Sequence, residues 1–487
     1  MFKSQFAFVT PLLLCLAWMS EACAPSLADN PPREANHAVP ASFGQASPAD
    51  PSAGPTAQAP SKSSSGTSKW NDFFLDPDLK ALIEEAVSKN QELNMQLQEI
   101  IIAKSEVKAR QGEYLPKINA GVGAGVEKVG KYSSQGTSDE AHGVPANLGN
   151  FAFGLLGSWE IDVWKKLRNA TQAANYRYLS TIEGKNFMVT QLVAEIARSY
   201  YELTALDNQI EVLDRNISIQ TDALAVVRLE KQAARVTELA VQRFEAELMK
   251  NQSRKYDLLQ QRVQAENRIN FLLGRFPQPV KRDPERFKDP LPDVIRTGVP
   301  TELLNNRPDV KQAELALEAA KLDVKVAKSG FLPSLSIEAG VGYQSFNIKH
   351  LITTPESLVY NLAGNLTAPL LNRQAIKAQY RSSNAKQLQA VFSYERSLLS
   401  AYTDVANQLA MLQNLKKSYE LESKQVDLLV EAIAVSGMLF QSARADYMEV
   451  LLTRRDALDA EMELIETKKQ QLQSMVNIYQ ALGGGWQ

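Results

Sequence analysis

The sequence predicts an α+β membrane protein in which a few amphipathic strands sit between very long helices. Three observations carry this. Four short runs alternate apolar with small or polar residues, as strands with two unlike faces do. Apolar seams at 3.5-residue spacing continue for dozens of residues. The chain also repeats itself once, with copy one over 70–290 and copy two over 291–486.

The N-terminal stretch 1–28 reads as an export signal. Lys3 supplies the positive end, and Phe6 to Trp18 form an apolar run of signal-peptide length. Two processing sites compete. Ser26-Leu27-Ala28 offers small residues to a signal peptidase. Cys23 offers a lipidation site, although Ser20 stands where a lipobox expects an aliphatic residue. Residues 24–69 are rich in Pro, Ala, Ser and Gly and cannot bury enough apolar surface to offset their ordering entropy. They are expected to form a disordered or extended tether, and Trp70 opens the folded part. No later run reaches the roughly 18 apolar residues of a transmembrane helix.

The repeat rests on three anchors in one order. "EYLPKINAGVGAGVEK" matches "GFLPSLSIEAGVGYQS" at an offset of 217; "ARVTELAV" matches "ARADYMEV", and "NFLLG" matches "YQALG", at an offset of 209. Each copy reads helix, strand pair, long helix, turn, helix. Leu79 to Gln111 lacks Pro and Gly and reads as one helix; Pro308 suits the first turn of its counterpart. Residues 275–298 form a Pro-rich connector between the copies.

The strand pairs are expected at 118–128/151–163 and 335–346/358–368. Ile118, Ala120, Val122, Ala124 and Val126 share one face; Asn119 and three glycines share the other. The remaining runs divide the same way. An apolar face with aromatics opposite a polar one is the pattern of a membrane barrel around a wet lumen. Four strands are too few to close around such a lumen. Lipid tolerates no open strand edge, so other copies of the chain must complete the sheet.

Leu192, Ile196, Ser199, Leu203, Leu206, Ile210, Leu213 and Ile217 mark the coiled-coil seam of copy one. Leu398, Tyr402, Val405, Leu409 and Leu412 begin that of copy two, with more interruptions beyond. A helix from about 372 to 439 would reach on the order of 100 Å. Matched turns at Ala234-Arg235 and Ala443-Arg444 then send the chain back, so helical hairpin tips are expected far from the strands.

Together "LPKINAGVGAG", "SWEIDVWKKLRNA", "NRPDV", "APLLNR" and the terminal "ALGGGW" resemble the outer membrane factor family of TolC-like exit ducts, most closely its efflux lipoprotein branch. The likeness covers Trp70 to Gln487. It implies a homotrimer with a twelve-stranded outer-membrane barrel, four strands from each protomer, continued by a twelve-helix periplasmic tunnel. It implies as partners a periplasmic adaptor and a proton-driven inner-membrane pump of the resistance–nodulation–division type. It also implies a periplasmic gate at Met448, Glu449 and Leu452, and adaptor docking at Ala234, Arg235, Ala443, Arg444 and Asp446. The chain departs from the family at Leu452 and at Ala240, where acids are common.

Other classes find little support. Net charge is −2, so no basic field favours nucleic acid. Cys15 and Cys23 are the sole cysteines, and His37, His142 and His350 have no partner at metal-ligand spacing, so no metal or cofactor is expected. "GVGAG" lacks the helix and Lys-Ser/Thr of a phosphate loop, and no enzyme activity is expected. A type I secretion duct and a periplasmic coiled-coil spacer remain as alternatives to the efflux duct.

Overall fold

The computed structural model describes Leu27, residues 31–40, Phe43, and residues 68–290, 300–371, 373–442 and 444–486. Cys23 and most of the signal and tether lie outside the described residues, as does Ala443. The chain divides into two compact units: Met1–Ala35, Ile100–Thr181 and Ala313–Tyr394, which carries the strands, and Asn36–Glu99, Ile182–Gln312 and Glu395–Gln487, which is helical.

The helices in chain order are α1 Trp70–Phe73, α2 Pro77–Lys89, α3 Gln91–Tyr114, α4 Ser134–Ala141, α5 Lys166–Gln232, α6 Glu238–Leu272, α7 Leu303–Asn306, α8 Pro308–Ser329, α9 Gln374–Gln441 and α10 Tyr447–Ala481. The strands are β1 Lys117–Glu127, β2 Leu148–Ile161, β3 Ser334–Ser345 and β4 Leu358–Thr367. The repeat is plain in these bounds: α6 and α10 are both 35 residues long, and α5 and α9 have 67 and 68. The shift in offset falls in one place. The β1–β2 connection, 128–147, carries α4; its counterpart, 346–357, is shorter and holds a single 3₁₀ turn.

The strands form one antiparallel meander, β1-β2-β3-β4. The predicted strand positions agree with it to within three residues at each end. The register brings every predicted apolar face to the same side. Val122 pairs with Phe153, Phe153 with Tyr343, and Tyr343 with Leu358; Ala120, Leu155, Val341 and Tyr360 form the next row. The Phe153 and Tyr343 rings stack at 5.4 Å. The other side carries Asn119, Leu156, Gly340 and Asn361 in one row and Gly121, Gly154, Gly342 and Val359 in another. Since side chains alternate, a slip of one residue anywhere would mix the faces.

Near the helix end of the sheet, the described part of the tether is ordered rather than free. Residues 31–40 have no regular secondary structure. Gln387 Nε2–H donates to the Arg33 carbonyl at 2.9 Å, Lys321 pairs with Glu34 at 2.7 Å, and the Arg33 guanidinium lies 5.3 Å from the Phe392 ring centroid. Leu27 packs against Phe331, Tyr380 and Ala327. Composition cannot foresee this, because the helix faces supply the partners.

In the helical unit the predicted seam of α5 is buried: Ile196, Leu203 and Leu213 are fully enclosed with Leu79, Ile83, Ile269 and Val476. Complete burial of such a side chain contributes about 1.5–3 kcal/mol. The helix expected from Leu79 to Gln111 is in fact two, broken at Asn90. Its N–H closes α2 on Ala86 O, its Oδ1 accepts from Leu93 N–H at 2.9 Å, and its Nδ2–H reaches Leu272 O. One Asn thus caps both helices. Asp76 starts α2 by accepting from Asp78 and Leu79 N–H, and the Tyr200 hydroxyl donates to it at 2.8 Å. The described part of the connector is a packed strap. Arg282 binds Asp207 and Glu266, and Phe287 is buried. Arg307 of "NRPDV" is buried between Asp309 at 2.7 Å and Asp404 at 3.3 Å, and it donates to Ala481 O.

Candidate functional site: the sheet and the hairpin tips

The sheet has two unpartnered edges. Among the described residues no strand pairs with the outer side of β1 or of β4. Its apolar side is open as well: Val122 is 90% exposed, Tyr360 82% and Leu362 79%. In water such a face and two bare edges would invite aggregation. In lipid the face is at home, but the edges must be paired.

The first tip is a Schellman turn. Arg235 N–H bonds back to Glu230 O and Ala234 N–H to Lys231 O, each at 2.9 Å, with Ala234 at φ 56°. Helices that end in this left-handed conformation usually place Gly there; alanine here is strained. The second tip repeats the longer bond, Arg444 N–H to Leu439 O at 2.9 Å. Both arginines are exposed, and their backbones, not their side chains, make these helix-ending bonds. Asp446 stands at the N-cap of α10 but its side chain accepts no cap bond, although Glu449 N–H reaches its carbonyl at 3.0 Å.

Beside the tips a small apolar cluster joins three helices: Leu224 and Val227 of α5, Ala240, Val241 and Phe244 of α6, and Leu451 of α10. The repeat equates Ala240 with Glu449, yet Ala240 is fully buried here and Glu449 is exposed. An acid at Ala240 would therefore lie within the cluster, at a desolvation cost.

Met448 is half-buried on that cluster, with Arg243 Nη1–H at 3.1 Å from its sulfur. Glu449 and Leu452 are exposed, and Asp456 and Asp459 continue their helical face. Asp459 pairs with Arg254 at 3.1 Å and Asp456 with Arg455 at 2.8 Å. Arg243–Met448 and Arg254–Asp459 share one spacing along the chain, so α6 and α10 run parallel here. The structure thus brings Met448, Glu449 and Leu452 together on one turn. It places Ala234 and Arg235 together on the first tip and Arg444 and Asp446 on the second. Sequence reasoning missed Arg243, Asp459 and the Lys231–Glu238 ion pair that spans the first tip. The acidic face of α10 was legible by its spacing; the cross-helix partners were not.

The outer membrane efflux protein family profile matches residues 82–275 and 299–484. The chain is 25% identical over 419 residues to the cation efflux system protein CusC of Escherichia coli O6:H1, covering 86% of this chain and 88% of that one. It is 28% identical over 427 residues to the pyoverdine export outer membrane protein OpmQ of Pseudomonas aeruginosa, with the same coverage. The crystal structure of a membrane protein from Pseudomonas aeruginosa superposes with a TM-score of 0.83 at 23% identity, over 95% of this chain and 98% of that one. The chain belongs to the outer membrane efflux protein family, and it is an outer-membrane component of an efflux system in a Gram-negative bacterium.

Proposed function

We propose that the chain is the exit duct of a tripartite efflux pump: a homotrimer whose three sheets close one twelve-stranded barrel and whose long helices form a periplasmic tunnel. The observation that carries this is the register. It sets one predominantly apolar, aromatic face against one built mainly of glycine and polar residues and leaves two bare edges, which other protomers would pair. The helices point the same way. Leu421, Leu428, Val435 and Met438 of α9 are exposed, as are Leu229 of α5 and Met249 and Tyr256 of α6. Sister helices would cover these stripes, as in other extended helical seams.

The duct performs no reaction. Solutes move down a water-filled lumen, and a proton-driven pump of the resistance–nodulation–division type supplies the energy through an adaptor docked at the tips. Three copies of Glu449 and Leu452 form the periplasmic gate, with Met448 seated beside them on the tip cluster. Carboxylates gathered around one axis repel and favour cations. CusC is named for cation efflux and OpmQ for pyoverdine export, so the solutes are read as small molecules of no single class. Cys23 is the lipidation site in this reading. Leu27 is already seated against Phe331, which leaves four residues, about 14 Å of extended chain, to reach the membrane.

Membrane fractionation and mass in detergent test the assembly. A heat-modifiable trimer in the outer membrane that conducts in planar bilayers is expected. A monomer that stays in detergent-free buffer refutes the barrel and leaves the coiled-coil spacer.

A further inference from the structure

The two ends of the sheet differ in charge. All four strand-to-helix junctions lie at one end, because β1 and β3 start there and β2 and β4 finish there. Residues 108–117 hold three basic and one acidic side chain, 160–170 three and two, 325–334 two and none, and 368–381 three and none. Eleven bases thus face three acids there, in a chain of net charge −2. The connections at the other end, 127–147 and 346–357, hold three bases and four acids.

The acids at the junctions are already paired. Glu113 binds Arg110 at 3.2 Å, Glu160 binds Lys166 at 3.0 Å, and Asp162 binds Arg168 at 3.2 Å. Lys165, Lys325, Lys328 and Arg381 are exposed and form no ion pair among the described residues. Two tryptophans lie at the same level, each tied through its ring N–H. Trp159, on the apolar face, donates to Tyr114 O at 3.0 Å, and Trp164 donates to Pro333 O at 2.7 Å. Indole rings anchored at the rim of an apolar band are characteristic of the membrane–water interface.

We propose that these free bases form a collar that binds the anionic phospholipid headgroups of the leaflet on the helix side. The proposal rests on the barrel reading and specifies its lipid. A base close to an anionic membrane favours binding about fivefold. The aromatic level places this collar where the phosphates of that leaflet lie, and no acid there is left to oppose them. The collar fixes how deep the sheet sits and gives the duct a preference for anionic lipid.

The full chain is purified in mixed micelles holding equal phosphatidylglycerol and phosphatidylethanolamine, and the lipid retained on the protein is measured by native mass spectrometry. The wild type should retain the anionic lipid in about fivefold excess, one headgroup facing one base. A Lys165→Gln, Lys325→Gln, Lys328→Gln, Arg381→Gln variant, which keeps Lys108 and Lys117, should retain clearly less of it than the wild type. The same positions as K165R, K325R and K328R, with Arg381 kept, should retain the excess. Raising salt from about 0.1 to 1 M, which cuts the screening length to about 3 Å, should abolish it in the wild type. Conducting trimers that show no lipid preference overturn the collar alone. An unchanged lipid ratio in the Gln variant, with a shifted reversal potential, would mean that these bases line the duct, and also overturns it. A wild type that forms no conducting trimer overturns the barrel reading itself.

Discussion

Gly342 offers a sharp test of the sheet register. It pairs directly with Gly154 on the polar face, in the β2–β3 ladder that joins the two copies of the repeat. A Cβ at Gly342 would lie 2.3 Å from Phe153 O and 2.7 Å from Gly154 Cα. Both atoms are backbone, so no rotamer change relieves the overlap. Ordinary contact begins near 3.4 Å, and the strands would have to part by roughly an ångström. Overpacking of this kind costs about 1–3 kcal/mol, and here it also strains two ladder hydrogen bonds. At about 2–4 °C per kcal/mol, Gly342→Ala should lower the dissociation temperature of the assembled protein by about 2–12 °C. Gly123 lies on the same face, and a methyl group added there would meet nothing within 4 Å, so Gly123→Ala should leave that temperature within about 2 °C. Semi-native gels after graded heating read both variants. Equal dissociation temperatures for Gly342→Ala and the wild type would refute the register and the close strand approach together.

Four further outcomes are expected. Ala234→Gly should stabilise the first tip by about 0.5–1 kcal/mol, seen as slower amide exchange at Ala234 and Arg235, because glycine accepts φ 56° without strain. Glu449→Ala should raise passive single-channel conductance; unchanged conductance in planar bilayers counts against the gate. Arg444→Glu should reduce crosslinking to the adaptor while trimer assembly is kept, and normal crosslinking would remove this residue from the docking surface. Burial opposes ionisation of Glu195, but hydrogen bonds from Arg198 and Arg268 outweigh it and hold the carboxyl below its usual range. Its pKa is lower folded than unfolded, so it contributes stability above about pH 4.3 that is lost as pH falls through the folded value. Glu195→Gln should therefore flatten the acid limb of the stability profile, and an unaltered limb would show that other groups govern it.

The faces of the four strands and the matched turns at Ala234-Arg235 and Ala443-Arg444 follow from neighbours within a few residues, whereas Met448, Glu449 and Leu452 were singled out by family resemblance and Asp459 was missed. The break at Asn90 was not readable, because a lone Asn in a Pro- and Gly-free run is tolerated in a helix. It ends α2 here because Leu272 O and Leu93 N–H both await its side chain. Nor could the chain show which side chains enclose Ala240, since Leu224, Val227 and Leu451 come from other helices.

By itself the sequence determined the order of helices and strands, that each strand has two unlike sides, and that the whole plan occurs twice. These are local properties, set by the 3.6- and 2-residue periods of the backbone. Tertiary structure alone decided that β2 pairs with β3 so that all four apolar faces coincide, and that Met448 rests on Phe244 and its neighbours. It also decided that the acids of the strand-to-helix junctions are matched by bases, leaving other bases free. Such pairings join residues far apart in the chain, and their free energy depends on burial and geometry that exist only once the chain has folded.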